Sequence, residues 1–540
     1  MERVNRNRVR DAAPEAGLSL VEAFRARLRA DSGAAVELVA THISWVLLTD
    51  TLAYKIKKPV HLAFVDFGTL ALRRHYCEEE LRLNRRLAAS LYLAVVPLHG
   101  SASAPTLQGE GEPIEYAVCM KRFAPGALAC EQLRAGTFDG AWLEGLARRL
   151  AEFHRSPASA LPLPMPPPAS TDAMVPPAIR ALLDQLQAAG NPLRIAALRD
   201  WFTAEARAVG AQRWRARAEG GAIRECHGDL HLGNVVLIDG ELVPFDCIEF
   251  DQTLRQIDVM SEVAFLTMDF EAHGRSDLAS RFLDAYLQHS GDPSGVRALR
   301  FHEVYRALVR ALVGSLTGEA SHPAGACHID YLAVAESLAF GPRPPPRLLI
   351  THGFSGSGKS TVAQALAQCA EAIRLRSDVE RKRLFGLPAL ASSRGAGVDI
   401  YSPEATRMTF DHLREGAREL LQAGRAVIVD AAFLQRSERE AFHQLAVAQG
   451  AAFTILDCQA DTDTLRRRVL ARVQAGKDAS EATVEVLERQ LTFAQPLTEE
   501  ERRHGIAVSS GRPIDIETLA ATWLASVPSS PRPPASETLR

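Results

Sequence analysis

The run RLLITHGFSGSGKST, beginning at Arg347, restricts the fold of this chain more than any other: an apolar strand, a turn with Gly353, Gly356 and Gly358, then a helix start at Lys359. A strand apolar on both faces belongs inside a parallel sheet, and parallel strands need crossover helices between them. The downstream sequence supplies those helices. Apolar periodicity predicts strand 347–352, helix 359–370, strand 372–377, helix 404–423, strand 426–430, helix 436–449 and strand 452–457. Residues 348–525 are therefore expected to form an α/β domain with a parallel sheet and helices on both faces.

The turn also carries chemistry. GFSGSGKST fits the pattern GxxxxGKS, in which glycines leave room for backbone N–H groups to surround phosphate oxygens. Gly353, Ser355, Gly356, Ser357, Gly358, Lys359, Ser360 and Thr361 are the expected nucleotide-binding set. Lys359 reaches the β/γ-phosphates of ATP, and Ser360 ligates Mg²⁺ at a positive helix N-terminus. VIVDAAF places Asp430 at the end of a strand, where its carboxylate would stand near the same cation. RSDVERKR places Asp378 and Arg381 after the second strand, at the sheet end where substrates bind. Asp378 is the expected base for an acceptor hydroxyl, or alternatively a helix N-cap. In LRRRVLARVQAG, Arg468 and Arg472 share a helix face and could close over ATP as a lid, while Arg466 and Arg467 read as solvated charge.

Three proline-rich stretches punctuate the chain: 156–170, 341–347 and 526–540. Such runs cannot enter a ladder or a helix interior. The middle one reads as the linker between two domains, the first as a loop and the last as a disordered tail. Before the linker, residues 40–125 read as β, β, α, β, a small lobe, and 126–340 as a mainly helical lobe. The helical lobe is interrupted by HGDLHLGNVVLIDGELVPFD, with a turn at Asp239-Gly240. Here His227, Asp229 and Asn234 stand at the spacing of the catalytic loop HRDLxxxN, and Asp246 follows at a strand end. Asp229 is the expected catalytic base, Asn234 and Asp246 the expected Mg²⁺ ligands. In LAYK, Lys55 is the first choice for the phosphate-contacting lysine and Lys57, on the same strand face, the reserve. Glu80 is the helical acid expected to pair with it, and MKRF at 120–123 the adenine hinge.

With its signature HGDxHxxN standing as HGDLHLGN, the segment 40–310 resembles the aminoglycoside phosphotransferase and choline kinase-like family. That resemblance implies an α+β, protein-kinase-like two-lobed fold for 1–340 and phosphorylation of small-molecule hydroxyls. It also implies that Asp258 in QIDV is a buried structural residue. Two departures accompany it: TDTLAYK lacks GxGxxG, and FDCIEF replaces DFG, so the Thr49–Thr51 turn must cover the phosphates. The C-terminal segment resembles compact P-loop kinases such as gluconate kinases and polynucleotide 5′-hydroxyl kinases, in which an Asp meets the acceptor hydroxyl and an Arg fixes substrate or phosphate.

A net charge of −3 disfavours a global nucleic-acid or membrane footprint, and no run of eighteen apolar residues occurs. The eight cysteines form no CxxC pair, so reduced thiols in a cytoplasm are expected. The sequence therefore reads as a bifunctional ATP-dependent phosphotransferase acting on a small hydroxylated molecule, sugar or amino sugar. Two rivals accompany that reading: an N-terminal pseudokinase sensor that regulates the P-loop domain, and a C-terminal 5′-hydroxyl nucleic-acid kinase.

Overall fold

A computed structural model describes residues 3–62, 65–161, 175–190, 192–317, 329–393, 399–475 and 478–527, with 3–16 by backbone alone. The expected tail from 528, the proline-rich loop from 162, Cys327, and Gly476 and Lys477 of the lid loop lie outside the described residues. The chain divides into two compact units, Met1–His273 with Phe301–Glu336 and Gly274–Arg300 with Ser337–Arg540.

The first unit is built on a six-stranded antiparallel sheet in the order Glu37–Ala40, Ser44–Leu48, Leu52–Lys57, Glu115–Lys121, Tyr92–Ser101, Ala104–Thr106. Side chains alternate across its two faces. Trp45, Leu47, Tyr54 and Ile56 pack on one face against Leu20, Val21, Phe24 and Leu28 of the helix Arg3–Ser32. Sequence reading did not anticipate that helix, although its apolar residues recur at helical spacing. On the other face Ala53, Val118 and Met120 meet Cys77 and Ala88 of the helix Leu70–Ala88. Period two puts Lys55 and Lys57 on this helix-bearing face with Ala53. Helices follow, among them Trp142–Arg155 and Val259–Ala272, the latter buried from Val259 to Phe270. The hairpin Val235–Ile238 with Glu241–Pro244 turns at Asp239 and Gly240, whose φ values of 50° and 81° are those of a two-residue I′ turn.

The second unit holds a five-stranded parallel sheet in the order Ile373–Arg376, Ala426–Asp430, Arg347–His352, Ala452–Gln459, Gly505–Ser509. The expected strands and helices lie within two residues of the observed ends; the strand Gly505–Ser509, half-exposed at one edge, was not expected. Helices Lys359–Cys369 and Ile516–Leu524 bury Val362, Leu366, Leu519 and Trp523 against Leu349 and Ile428. At the opposite edge the helix Ser276–Ser290 covers Ile373–Arg376. Asp284 Oδ1 accepts the Arg374 N–H at 2.7 Å and the Gln288 amide donates to the Arg374 carbonyl, so backbone groups of an outer strand are bonded within this unit.

Candidate active sites

The N-terminal site grows from two connections in the first unit. His227, Gly228 and Asp229 follow the short strand Ile223–Glu225, and Gly228 adopts φ 88°. A Cβ there would stand 3.0 Å from the Leu254 carbonyl, so the residue before Asp229 has to be glycine. The loop backbone is held from behind: Glu262 Oε2 accepts the N–H groups of His227 and Gly228 at 2.6 and 3.0 Å, while its Oε1 lies 3.1 Å from His154 Nε2. Burial would raise the Glu262 carboxyl, yet the bond to His154 and the charges around it hold it at about 2. Asp258, the structural acid the resemblance implied, is indeed buried, but it pairs bidentately with Arg217 at 2.6 Å and caps its helix through the Met260 N–H. Glu262, one turn onward, supports the loop.

Asp229 accepts from Asn234 Nδ2 at 3.1 Å, and His231 Nε2 lies 3.5 Å from the same oxygen. Desolvation alone would raise this carboxyl; His231, Arg310 and His227 together bring it well below the usual carboxylate range. It is therefore ionised throughout the neutral range. His227 has an orienting role: its Nδ1 accepts the Asp229 N–H at 3.4 Å and its Nε2 stands 2.8 Å from the Phe245 carbonyl. Phe245 in turn donates its N–H to the Asn234 carbonyl at 2.9 Å, which closes the hairpin's open end just before Asp246.

Both lysines of the strand Leu52–Lys57 face the helix Leu70–Ala88, and Glu80 pairs with both: Oε1 forms an ion pair with Lys55 at 2.9 Å, and Oε2 accepts a hydrogen bond from Lys57 at 2.8 Å. Lys55 also bonds Asp246, and Lys57 bonds Glu249. Desolvation lowers each lysine, but the surrounding carboxylates outweigh it and raise both. Glu80 would be raised by burial and is instead drawn down to about 2 by Lys55 and Lys57. Glu78 pairs with Arg74 at the surface, and Glu79 reaches Arg82 and Arg255. Met120 and Lys121 close the strand Glu115–Lys121, and Arg122 ties the next turn to Thr51 and Thr49.

The C-terminal site sits at the carboxyl ends of the parallel strands. Gly353 has φ 137° and Gly356 φ 86°; a Cβ on them would meet the carbonyls of Cys458 at 2.4 Å and Leu465 at 2.8 Å. Ser357 and Gly358 complete the turn, and the helix starts with Lys359, Ser360 and Thr361. Lys359 Nζ donates to the Phe354 carbonyl at 2.7 Å; burial lowers its pKa, with Asp430 and Asp378 opposing only in part. Ser360 Oγ donates to Asp430 Oδ1 at 3.1 Å, while Asp430 Oδ2 is buried without a hydrogen-bond donor among the described residues and lies 3.7 Å from Arg374. Asp378 lies in the first turn of the helix Ser377–Leu384 rather than at its N-cap, which is Arg376.

Arg381, expected at substrate or phosphate, uses one nitrogen on protein: its Nη1 donates to the Ile400 carbonyl at 2.8 Å and Thr406 Oγ1 at 3.2 Å, its guanidinium stacks over Tyr401, and its buried Nε has no hydrogen-bond partner among the described residues. Its role there is to brace the 400–406 segment beside Asp378. Arg468 spans the loop and the last strand's end, 3.3 Å from the Gly356 carbonyl and 2.6 Å from Ser510 Oγ. Arg472 donates to the Ala482 carbonyl at 3.0 Å. Sequence reading missed Gln490, whose Oε1 accepts the Ser355 N–H at 2.9 Å, as well as Glu249, Glu262 and Arg374. Nothing local marks these residues; each reaches its site through the tertiary fold.

Both segments have matches among known proteins. Residues 65–312 match the model of the phosphotransferase enzyme family, and residues 348–497 match the model of an AAA domain. One segment of the chain thus matches a phosphotransferase model and another an AAA-domain model, and together they support a kinase or phosphotransferase. An uncharacterized protein of Mycobacterium tuberculosis is 29% identical over 457 residues, 82% of this chain and 88% of its own. Among solved structures, a choline/ethanolamine kinase family protein from Mesorhizobium loti covers 59% of this chain and 92% of its own, at 16% identity and a TM-score of 0.34. A gluconokinase from Sinorhizobium meliloti 1021 covers 34% of this chain and 94% of its own, at 23% identity and a TM-score of 0.24.

Proposed function

We propose that the protein is a bifunctional ATP-dependent phosphotransferase whose two sites each transfer the γ-phosphate of ATP to a hydroxyl of a small molecule of sugar or amino-sugar type. The carrying observation is that each site combines a lysine, an oxygen-ligand set and a separate aspartate. At the N-terminal site these are Lys55, then Asn234 with Asp246, then Asp229. At the C-terminal site they are Lys359, then Ser360 with Asp430, then Asp378. The acceptor oxygen forms a bond to the γ-phosphorus as the bridging bond to the β-phosphate oxygen breaks, the electron pair leaves with ADP, and the hydroxyl proton passes to the aspartate. A carboxylate as weakly basic as Asp229 serves mainly by orienting the hydroxyl, which suffices where the transition state is loose.

The donor sets suit Mg²⁺. A hard cation takes carboxylate, amide and hydroxyl oxygens, and the undonated, buried Asp430 Oδ2 is the kind of atom such an ion completes. When bound, it neutralises charge between the β- and γ-phosphates. Asn234 and Asp246 would hold it in one site, Ser360 and Asp430 in the other. Lys55, Lys359, Arg468 and Arg472 supply the positive charge around the triphosphate.

A metabolite pool incubated with labelled ATP tests this reading. Asp229→Ala should remove one set of labelled products and Lys359→Ala another, each by about 10²–10⁴-fold. Products insensitive to Asp229→Ala in every pool would leave the N-terminal domain as a nucleotide sensor. Labelling of 5′-hydroxyl oligonucleotides, with affinity falling steeply in salt, would instead make nucleic acid the C-terminal acceptor.

A further inference from the structure

Two lysines on one strand face share one glutamate, but their surroundings differ in a way that assigns them different work. Lys57 is fully enclosed at 0% side-chain exposure, as is Glu80, and Glu249 is at 4%. Its ammonium also lies 4.9 Å from the centre of the Phe67 ring. Lys55 stands at the edge of the same network at 10%, and its further partner Asp246 is 41% exposed. One pair is sealed and the other opens to solvent.

We propose that Lys57 and Glu249 form with Glu80 a permanent buried lock that fixes the helix Leu70–Ala88 to the sheet, leaving Lys55 free to exchange Asp246 for a nucleotide phosphate. This deepens the phosphotransferase reading of the N-terminal site and rests on it for the role of Lys55. A single lysine–glutamate pair has to both hold the helix and touch the phosphate. Here the two tasks are divided between Glu80 Oε2 with Lys57 and Glu80 Oε1 with Lys55.

Contacts along the helix agree with a fixed position. At its start Arg73 pairs with Glu115 at 2.9 Å and donates to the Phe67 carbonyl. Asn84 donates to the Glu80 carbonyl and accepts the Cys247 N–H at 2.9 Å, which ties the helix to the segment carrying Asp246 and Glu249. At its end Arg86 reaches Glu225 and the Cys226 carbonyl, beside the Asp229 loop. Glu249 therefore positions the site through Lys57 and contacts no substrate. Losing one buried partner alone would strand the others' charge, so the informative variant removes a cation and an anion together.

The test uses the full chain carrying Lys359→Ala, so that Mg·ATP titrates the N-terminal site. Lys55→Met should weaken Mg·ATP by about tenfold or more while hydrogen–deuterium exchange across residues 70–88 stays at the parent rate. Lys57→Met with Glu249→Leu should raise that exchange by about tenfold or more and weaken Mg·ATP as a consequence. Equal exchange increases in both variants, or an unchanged rate in the double variant, would overturn the lock. A Lys359→Ala parent that binds no Mg·ATP would remove the phosphotransferase reading of the site, and the exchange comparison would still decide the lock.

Discussion

The two sites solve one electrostatic problem by opposite means. The N-terminal site stores its lysines among carboxylates, with Lys55 on Glu80 and Asp246 and Lys57 on Glu80 and Glu249, so burial is offset by paired charge. The C-terminal site keeps Lys359 on a backbone carbonyl and relies on glycine turns and a helix N-terminus to present N–H groups. A carboxylate cage raises a lysine's pKa; a desolvated backbone cradle lowers it. The first design ties the site to a network of buried charges, the second to the geometry of one loop. Substitutions and pH should therefore separate the two units.

The largest expected separation comes from Glu262→Ala. The substitution leaves the buried His227 and Gly228 N–H groups without this acceptor and takes the Glu262 carboxylate away from His154. A broken buried network of this kind costs about 3–5 kcal/mol. Two-step unfolding should show the first unit's transition lowered by that amount and the second unit's unchanged. A shared loss in both transitions would mean that the comparison between units does not hold.

Acid should do the same more gently. His302 is buried neutral, its pKa brought down to about 4 by burial, with Asp258 opposing and Arg306 and Arg217 reinforcing. Its folded pKa lies below the unfolded value of 6.5, so its contribution is complete above pH 6.5 and is lost as pH falls through 4. The difference corresponds to about 3 kcal/mol. Glu80 and Glu262, both at about 2 against 4.5, add their loss only below pH 4.5. Chemical denaturation of the first unit between pH 7 and 4.5 should thus lose stability through His302, and His302→Leu should flatten that slope.

What the sequence made readable follows the same division. GFSGSGKST and HGDLHLGN are local, so their spacing alone named Lys359, Ser360, Asp229 and Asn234, and Asp430 followed from an apolar run ending in an acid. The parallel sheet was legible because its inner strands are apolar on both faces, while the edge strand Gly505–Ser509 is half-exposed and carries no such run. The choice between Lys55 and Lys57 could not be made from alternation, which gives them the same face; Asp246 and Glu249, arriving from a distant connection, set them apart. Arg381 was read as a substrate ligand because its spacing from Asp378 fits, but spacing does not show the Ile400 carbonyl and Thr406 hydroxyl that one of its nitrogens also meets. Asp258 and Glu262 show the same limit, since both are buried acids on one helix start and only the fold decides which reaches the catalytic loop.

The smallest and sharpest comparison is the alkaline limb of nucleotide binding. Lys359 in the free protein loses its proton below the ordinary lysine value of 10.5, because burial disfavours the ammonium and the opposing carboxylates compensate only in part. Lys55 keeps its proton above that value. A phosphate-binding lysine contributes as a cation, so affinity falls once pH exceeds the free-protein pKa. Mg·ATP titrations in a Lys55→Met background, which report the C-terminal site, should weaken at a lower alkaline pH than those in a Lys359→Ala background. Lys359→Arg should abolish the alkaline decline in the first background, since a guanidinium stays charged there, whatever it does to affinity at pH 7. If the two backgrounds decline together, the carboxylate cage around Lys55 does not set its proton affinity, and the contrast between paired charge and backbone cradle fails at the atoms that define it.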